Sequence, residues 1–166
     1  MPFASPTGPV PAPAAPGVQG LQAFAAANAN PIPRSAESEA RGAAMYELYC
    51  LVCHGAEGMG GNTGPVTQTG VYPPIVPPVA AGNATGLADG YIYAIIRHGR
   101  GLMPSYAVQV PHDDRWHVVN YIRRLQEGGG PVAAAAESEQ GAAGAPEAGA
   151  GGAGVAGSAG GPEGGE

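Results

Sequence analysis

Lysine is absent from the 166 residues, and arginine occurs seven times, always between Arg34 and Arg124. With no basic stripe or Lys/Arg cluster, no nucleic-acid interface is expected. A ring of lysines that steers the chain onto an acidic partner is excluded as well. Seven acids balance the arginines within 34–126, so the formal charge of −6 comes from Glu127 and five glutamates of the tail. Long apolar runs are missing too: no stretch nears the ~20 residues that span a bilayer. The N-terminus lacks a basic region followed by an apolar run, and no cysteine near Met1 could accept a lipid. Neither an export signal nor a lipid anchor is therefore visible in the sequence.

Glycine and proline are abundant instead, with 29 and 18 residues. That level marks chains of which part cannot pack. The excess is uneven. Residues 1–33 hold eight prolines and no charge, and 128–166 is mostly glycine and alanine with scattered glutamate. Neither end shows a sustained apolar period that could repay the entropy of ordering the backbone. The expected organisation is a Pro/Ala-rich extension or linker over 1–33, a domain over 34–127, and a Gly/Ala-rich acidic tail over 128–166 that is flexible unless partners order it. A domain this small often needs a metal or cofactor as part of its core.

Three helices are predicted in the domain. The first is capped by Ser35 or Ser38 and aligns Gly42, Tyr46, Tyr49 and Cys50. The second covers Leu87 to His98 and stops at Gly99. The third runs from Pro111 or His112 to Leu125, with Asp113 and Asp114 at its positive end and Arg123 and Arg124 at its negative end. Between the first two, residues 55–86 are rich in Gly, Pro, Asn and Thr, a long irregular segment expected where a chain wraps a rigid flat ligand. Strand signals are nearly absent, so the class is all-α.

The decisive string is Cys50-Leu51-Val52-Cys53-His54. Two thiols three positions apart, followed at once by an imidazole, form the signature of c-type haem attachment. The thiols add to the vinyl groups and His54 ligates iron. A Cys-x-x-Cys redox pair lacks its βαβ setting and half a zinc site lacks a second pair of ligands; a plain structural disulfide is the remaining alternative. For the sixth ligand the candidates are Met45, Met59, Met103, His98, His112 and His117. Met103 is the expected one: it follows a helix in Gly101-Leu102-Met103-Pro104, and Pro104 restrains it to extended geometry. Met59 lies too close to the attachment site, and Met45 suits helix packing. Tyr72, Pro74, Ile75 and Tyr106 are expected to line the pocket. Trp116 is expected either to donate to a propionate or to pack at a helix boundary. Arg97 or Arg100 could offset propionate charge, but a solvated helix-end role is the expected one. No residue is assigned a catalytic role.

Residues 35–126 resemble a class I cytochrome c. The resemblance implies a small fold of three main helices and long loops around one haem, with Gly42 and Tyr46 crossing Tyr121 beside Val118. It also implies that Pro65, in Gly64-Pro65, offers its carbonyl to His54 and so orients the ring. The strings Asp89-Gly90-Tyr91-Ile92-Tyr93-Ala94-Ile95-Ile96-Arg97-His98-Gly99-Arg100-Gly101-Leu102-Met103-Pro104 and Asp114-Arg115-Trp116-His117-Val118-Val119-Asn120-Tyr121-Ile122 are similar to the monohaem cytochrome subunit of alternative complex III, a bacterial quinol-oxidising membrane assembly. That similarity implies one covalent haem c and one-electron transfer without substrate turnover. It implies a place among respiratory-complex subunits, with a multihaem cytochrome as donor and an oxidase or soluble cytochrome as acceptor. The expected location is peripheral, on the periplasmic face of the cell membrane. The rival readings are a haem-stabilised structural subunit and a peroxidase or gas-binding haem domain.

Overall fold

The computed structural model describes residues 11–12 and 17–132. Six α-helices follow one another: α1 (Gly17–Ala27), α2 (Ala36–Tyr49), α3 (Leu51–His54), α4 (Pro65–Gln68), α5 (Asp89–His98) and α6 (His112–Gln126), with a 3-10 turn at Gly82–Gly86 before α5. No strand forms among the described residues beyond an isolated bridge between Arg100 and Met103. The all-α expectation holds at that level.

The central contact is the crossing of α2 and α6. Ser35 caps α2 by accepting the Ser38 N–H at 3.1 Å, and Glu37 and Glu39 occupy its first turn. Glycine at 42 is needed for close approach. A Cβ there would fall 2.6 Å from the His117 carbonyl carbon and 2.8 Å from Tyr121 Cβ, inside any normal contact. The Tyr46 and Tyr121 rings then meet edge to face with centroids 5.2 Å apart. Polar groups lock the same crossing: Arg41 grips Asp114 through two bonds of 2.7 and 2.8 Å, and Ser38 Oγ lies 2.9 Å from His117 Nδ1. Gly42→Ala should therefore cost about 1–3 kcal/mol, the usual range for an overpacked core, read as a lower denaturation midpoint at unchanged m-value.

Two sequence expectations need correction. Residues 1–33 are not wholly a linker, because α1 is a helix of eleven residues that buries Leu21 and Phe24 against α5. Phe24 stacks on Tyr93 at 5.7 Å with planes 4° apart. The apolar period there is short, and its stability comes from tertiary packing rather than propensity. Within 34–127 the longer helices are α2, α5 and α6, and α1 precedes them. The segment 55–86 is also less irregular than expected, since α4 and the 3-10 turn interrupt it.

The tail expectation for 133–166 lies outside the described residues. No described helix is long and apolar enough to cross a membrane.

Candidate functional site

Helix α2 ends at Cys50, whose N–H still reaches the Tyr46 carbonyl at 2.8 Å, and α3 begins at the next residue. This short turn of Leu51–His54 carries Cys53 and His54. It closes at Gly55, where φ is +74° and the N–H donates to Leu51 O at 2.9 Å. Tyr46 Oη donates to the Gly55 carbonyl at 2.9 Å, tying the turn to the helix crossing. Cys50 and Cys53 form no disulfide with each other.

Burial, followed by the neighbouring Cys53, pushes the Cys50 thiol up to about 12. Dithiol redox pairs need the opposite, a lowered thiol pKa that supplies thiolate. Burial holds His54 below its ordinary range, and the Pro77 carbonyl opposes that shift. With His54 Nδ1 3.1 Å from Pro77 O, the neutral ring donates from Nδ1 and keeps Nε2 as a lone-pair ligand.

Cys50, Cys53 and His54 open onto a cavity of about 1420 Å³. Met103 lines the same cavity, whereas Met45, Met59, His98, His112 and His117 do not. These five are engaged or placed elsewhere: Met59 is 46 % exposed, His112 Nδ1 lies 2.6 Å from Tyr93 Oη, and His98 meets the edge of Phe24. Reciprocal backbone bonds of 3.0 Å between Arg100 and Met103 hold the methionine loop, with Gly101 at φ +60°. Ser105 Oγ to Arg97 O at 2.6 Å and Tyr106 N to Ile96 O at 2.9 Å fasten that loop to α5.

Of the other pocket candidates, Tyr72, Ile75 and Tyr106 line the cavity, and Tyr72 Oη reaches toward Leu102 O at 3.5 Å, linking the two loops. Pro74 is exposed and stays outside the lining, and so does Trp116. Trp116 is 1 % exposed and stacks on Tyr93 at 4.1 Å, so the packing alternative describes its position. Its indole N–H has no partner among the described residues. Arg100 lines the cavity with its guanidinium 5.8 Å from the Tyr91 centroid, while Arg97 turns away to Pro11 O.

Pro65 is not the residue that orients His54. Its carbonyl is taken up by the turn it starts, receiving the Thr69 N–H at 3.3 Å. The later run Tyr72–Pro78 crosses back, fixed by Gly61 N to Val76 O and Val79 N to Gly58 O, both 2.8 Å, and this brings Pro77 to the imidazole. The Pro-Pro pairs at 73–74 and 77–78 mark a segment poor in N–H donors, but the loop path, which no local signal specifies, decides which carbonyl reaches His54.

A flat, largely apolar cofactor fits this donor set: two thiols on one turn, an imidazole whose Nε2 is left as a ligand, and a thioether in one chamber. A structural zinc site does not, because no three His, Cys, Asp or Glu side chains gather among the described residues.

Residues 37–122 match the family model described as cytochrome c oxidase, cbb3-type, subunit III. A chain of the Kuenenia stuttgartiensis reducing HAO-like protein complex is similar at 26 % identity, with a TM-score of 0.47, over 57 % of this chain and 46 % of that one. This chain thus spans less than half the length of that relative. No curated protein matches. The family match covers just over half of the sequence and includes the Cys50–His54 turn and Met103, so the chain belongs to the family described as cytochrome c oxidase, cbb3-type, subunit III, and is a haem-binding, electron-transfer type of domain related to respiratory-complex subunits.

Proposed function

We propose that this chain is a class I cytochrome c subunit that relays single electrons through one haem c. Cys50 and Cys53 would form the two thioethers, and His54 and Met103 the two axial bonds. The observation that carries the reading is selective convergence: of the six candidate sixth ligands, Met103 is the one in the chamber with Cys50, Cys53 and His54.

When bound, the haem supplies reversible one-electron exchange between Fe(III) and Fe(II). The chain's own residues do the rest. The Pro77 carbonyl fixes the tautomer and direction of His54. The Arg100–Met103 turn holds the thioether against being displaced. With His54 and Met103 both holding the iron, no position would remain for oxygen or peroxide, which would favour electron transfer over peroxidase or gas-binding chemistry.

Residues around the cavity suit a brief, weakly charged encounter. Val52, between the two cysteines, is 42 % exposed, and Ile75 and Leu102 are 62 % and 63 % exposed. Residues 58–88 and 101–111 carry no charge. Such a rim gains little from long-range steering and suits a partner kept nearby in an assembly. The similarity of 89–104 and 114–122 to the monohaem subunit of alternative complex III supports a place beside a quinol-oxidising complex. A multihaem cytochrome would then be the donor and an oxidase or soluble cytochrome the acceptor. Thioether haem attachment, which takes place outside the cytoplasm, supports a place on the periplasmic face, where the chain would be a peripheral subunit.

Intact-mass measurement of protein made with competent haem-maturation machinery should give one covalently added haem. In the oxidised protein, the far-red charge-transfer band of methionine-ligated iron should be present. A mass equal to the bare polypeptide, or high-spin iron that binds cyanide rapidly, would defeat the proposal.

A further inference from the structure

Helix α1 lies before the residues matched to the family, yet it forms part of the cavity. Its residues sort into two adjoining stripes with helical spacing. Leu21 and Phe24 are buried toward α5, whereas Gln22, Ala25 and Ala26, at positions i, i+3 and i+4, line the chamber. Alanine at two of those three positions leaves room for a large flat ligand beside the helix.

The helix is held at backbone contact. A Cβ on Gly90 of α5 would strike the Asn28 carbonyl oxygen and come within 2.9 Å of Ala25 Cα. Beyond its end, Asn28 Nδ2 donates to Phe24 O at 2.8 Å and Asn30 Nδ2 to Asn120 Oδ1 at 2.8 Å. Asn120 Nδ2 returns a bond to Ile32 O at 3.2 Å. Gly90 and this chain of amides hold α1 in one place, with Gln22, Ala25 and Ala26 on the chamber.

We propose that α1 is a wall of the haem chamber, and that Gln22, Ala25 and Ala26 set how much water reaches the bound group and thereby its potential. The inference rests on the haem reading above. Water near the group stabilises the more highly charged ferric state, so closing the chamber favours Fe(II) and raises the potential. Gly90 is a positioning residue in this scheme: it acts by letting α1 sit close.

The test compares haem-loaded proteins by potentiometry, solvent-perturbation spectroscopy of the haem band, and amide hydrogen exchange. Gly90→Val should release α1, seen as faster exchange across 17–27, together with a lower midpoint potential and a larger solvent perturbation. Ala26→Trp places an indole on the wall stripe and should shift both the haem band and the potential. Ala23→Trp, at a position of the same helix that does not line the cavity, should leave both at parent values. A released helix with unchanged potential overturns the inference, and so does an Ala26→Trp protein indistinguishable from Ala23→Trp. The tryptophan pair decides the question if Gly90→Val does not fold. Absence of covalent haem from the parent protein is a separate failure, that of the functional reading, and takes the wall proposal with it.

Discussion

Replacing Met103 by alanine is expected to lower the midpoint potential by on the order of 0.1 V or more, within the ~0.8 V range that axial ligation commands. A soft thioether stabilises Fe(II) relative to harder donors, so its loss favours the oxidised state. No other candidate sulfur or imidazole lines the cavity to replace it, since Met45, Met59, His98, His112 and His117 all lie elsewhere. The vacated position would then take water or an added ligand. Loss of the far-red band, high-spin ferric iron and rapid cyanide binding should accompany the change in potential. The fold should survive, because Arg100, Ser105 and Tyr106 anchor the loop through backbone and hydroxyl groups that the substitution leaves in place. An unchanged potential and spectrum would remove Met103 from the metal.

What the sequence made legible was mostly local. The Cys50–His54 string is chemistry at fixed spacing, and Ser35, Gly99 and the charged ends of α6 are punctuation that acts within one turn. The crossing at Gly42, Tyr46 and Tyr121 was recoverable through family resemblance, because backbone contact between two helices requires a residue without a side chain. What escaped depends on distant partners. Leu21 and Phe24 make a helix worthwhile once Tyr93 and Gly90 offer a surface, and nothing in residues 1–33 announces that surface. Pro65 and Pro77 illustrate the same limit. Both are prolines after the attachment site, but whether a carbonyl reaches His54 depends on a chain path fixed by Gly61 and Gly58, which bond to Val76 and Val79, some fifteen and twenty-one residues on. Trp116 could satisfy either of two roles by sequence, and burial against Tyr93 places it in the packing one.

Joint replacement of Cys50 and Cys53 by serine should have the largest effect on the protein as a whole. Intact mass should fall to that of the bare polypeptide, with no haem retained through denaturation. The consequence reaches beyond attachment. A chamber of about 1420 Å³ lies inside the domain and is lined mostly by apolar side chains; without its filler that lining would face water, so the unfilled domain should lose its fixed packing. A preparation made without haem should thus lose near-UV circular dichroism and cooperative thermal unfolding while keeping some α2 and α6 helicity, since Arg41–Asp114, Ser38–His117 and the Tyr46–Tyr121 contact lie on the crossing itself. Single Cys50→Ser or Cys53→Ser proteins keep one thioether and His54, and should retain haem with reduced thermal stability. Haem-free protein that unfolds as cooperatively as the loaded form would refute the idea that the cofactor is part of the core.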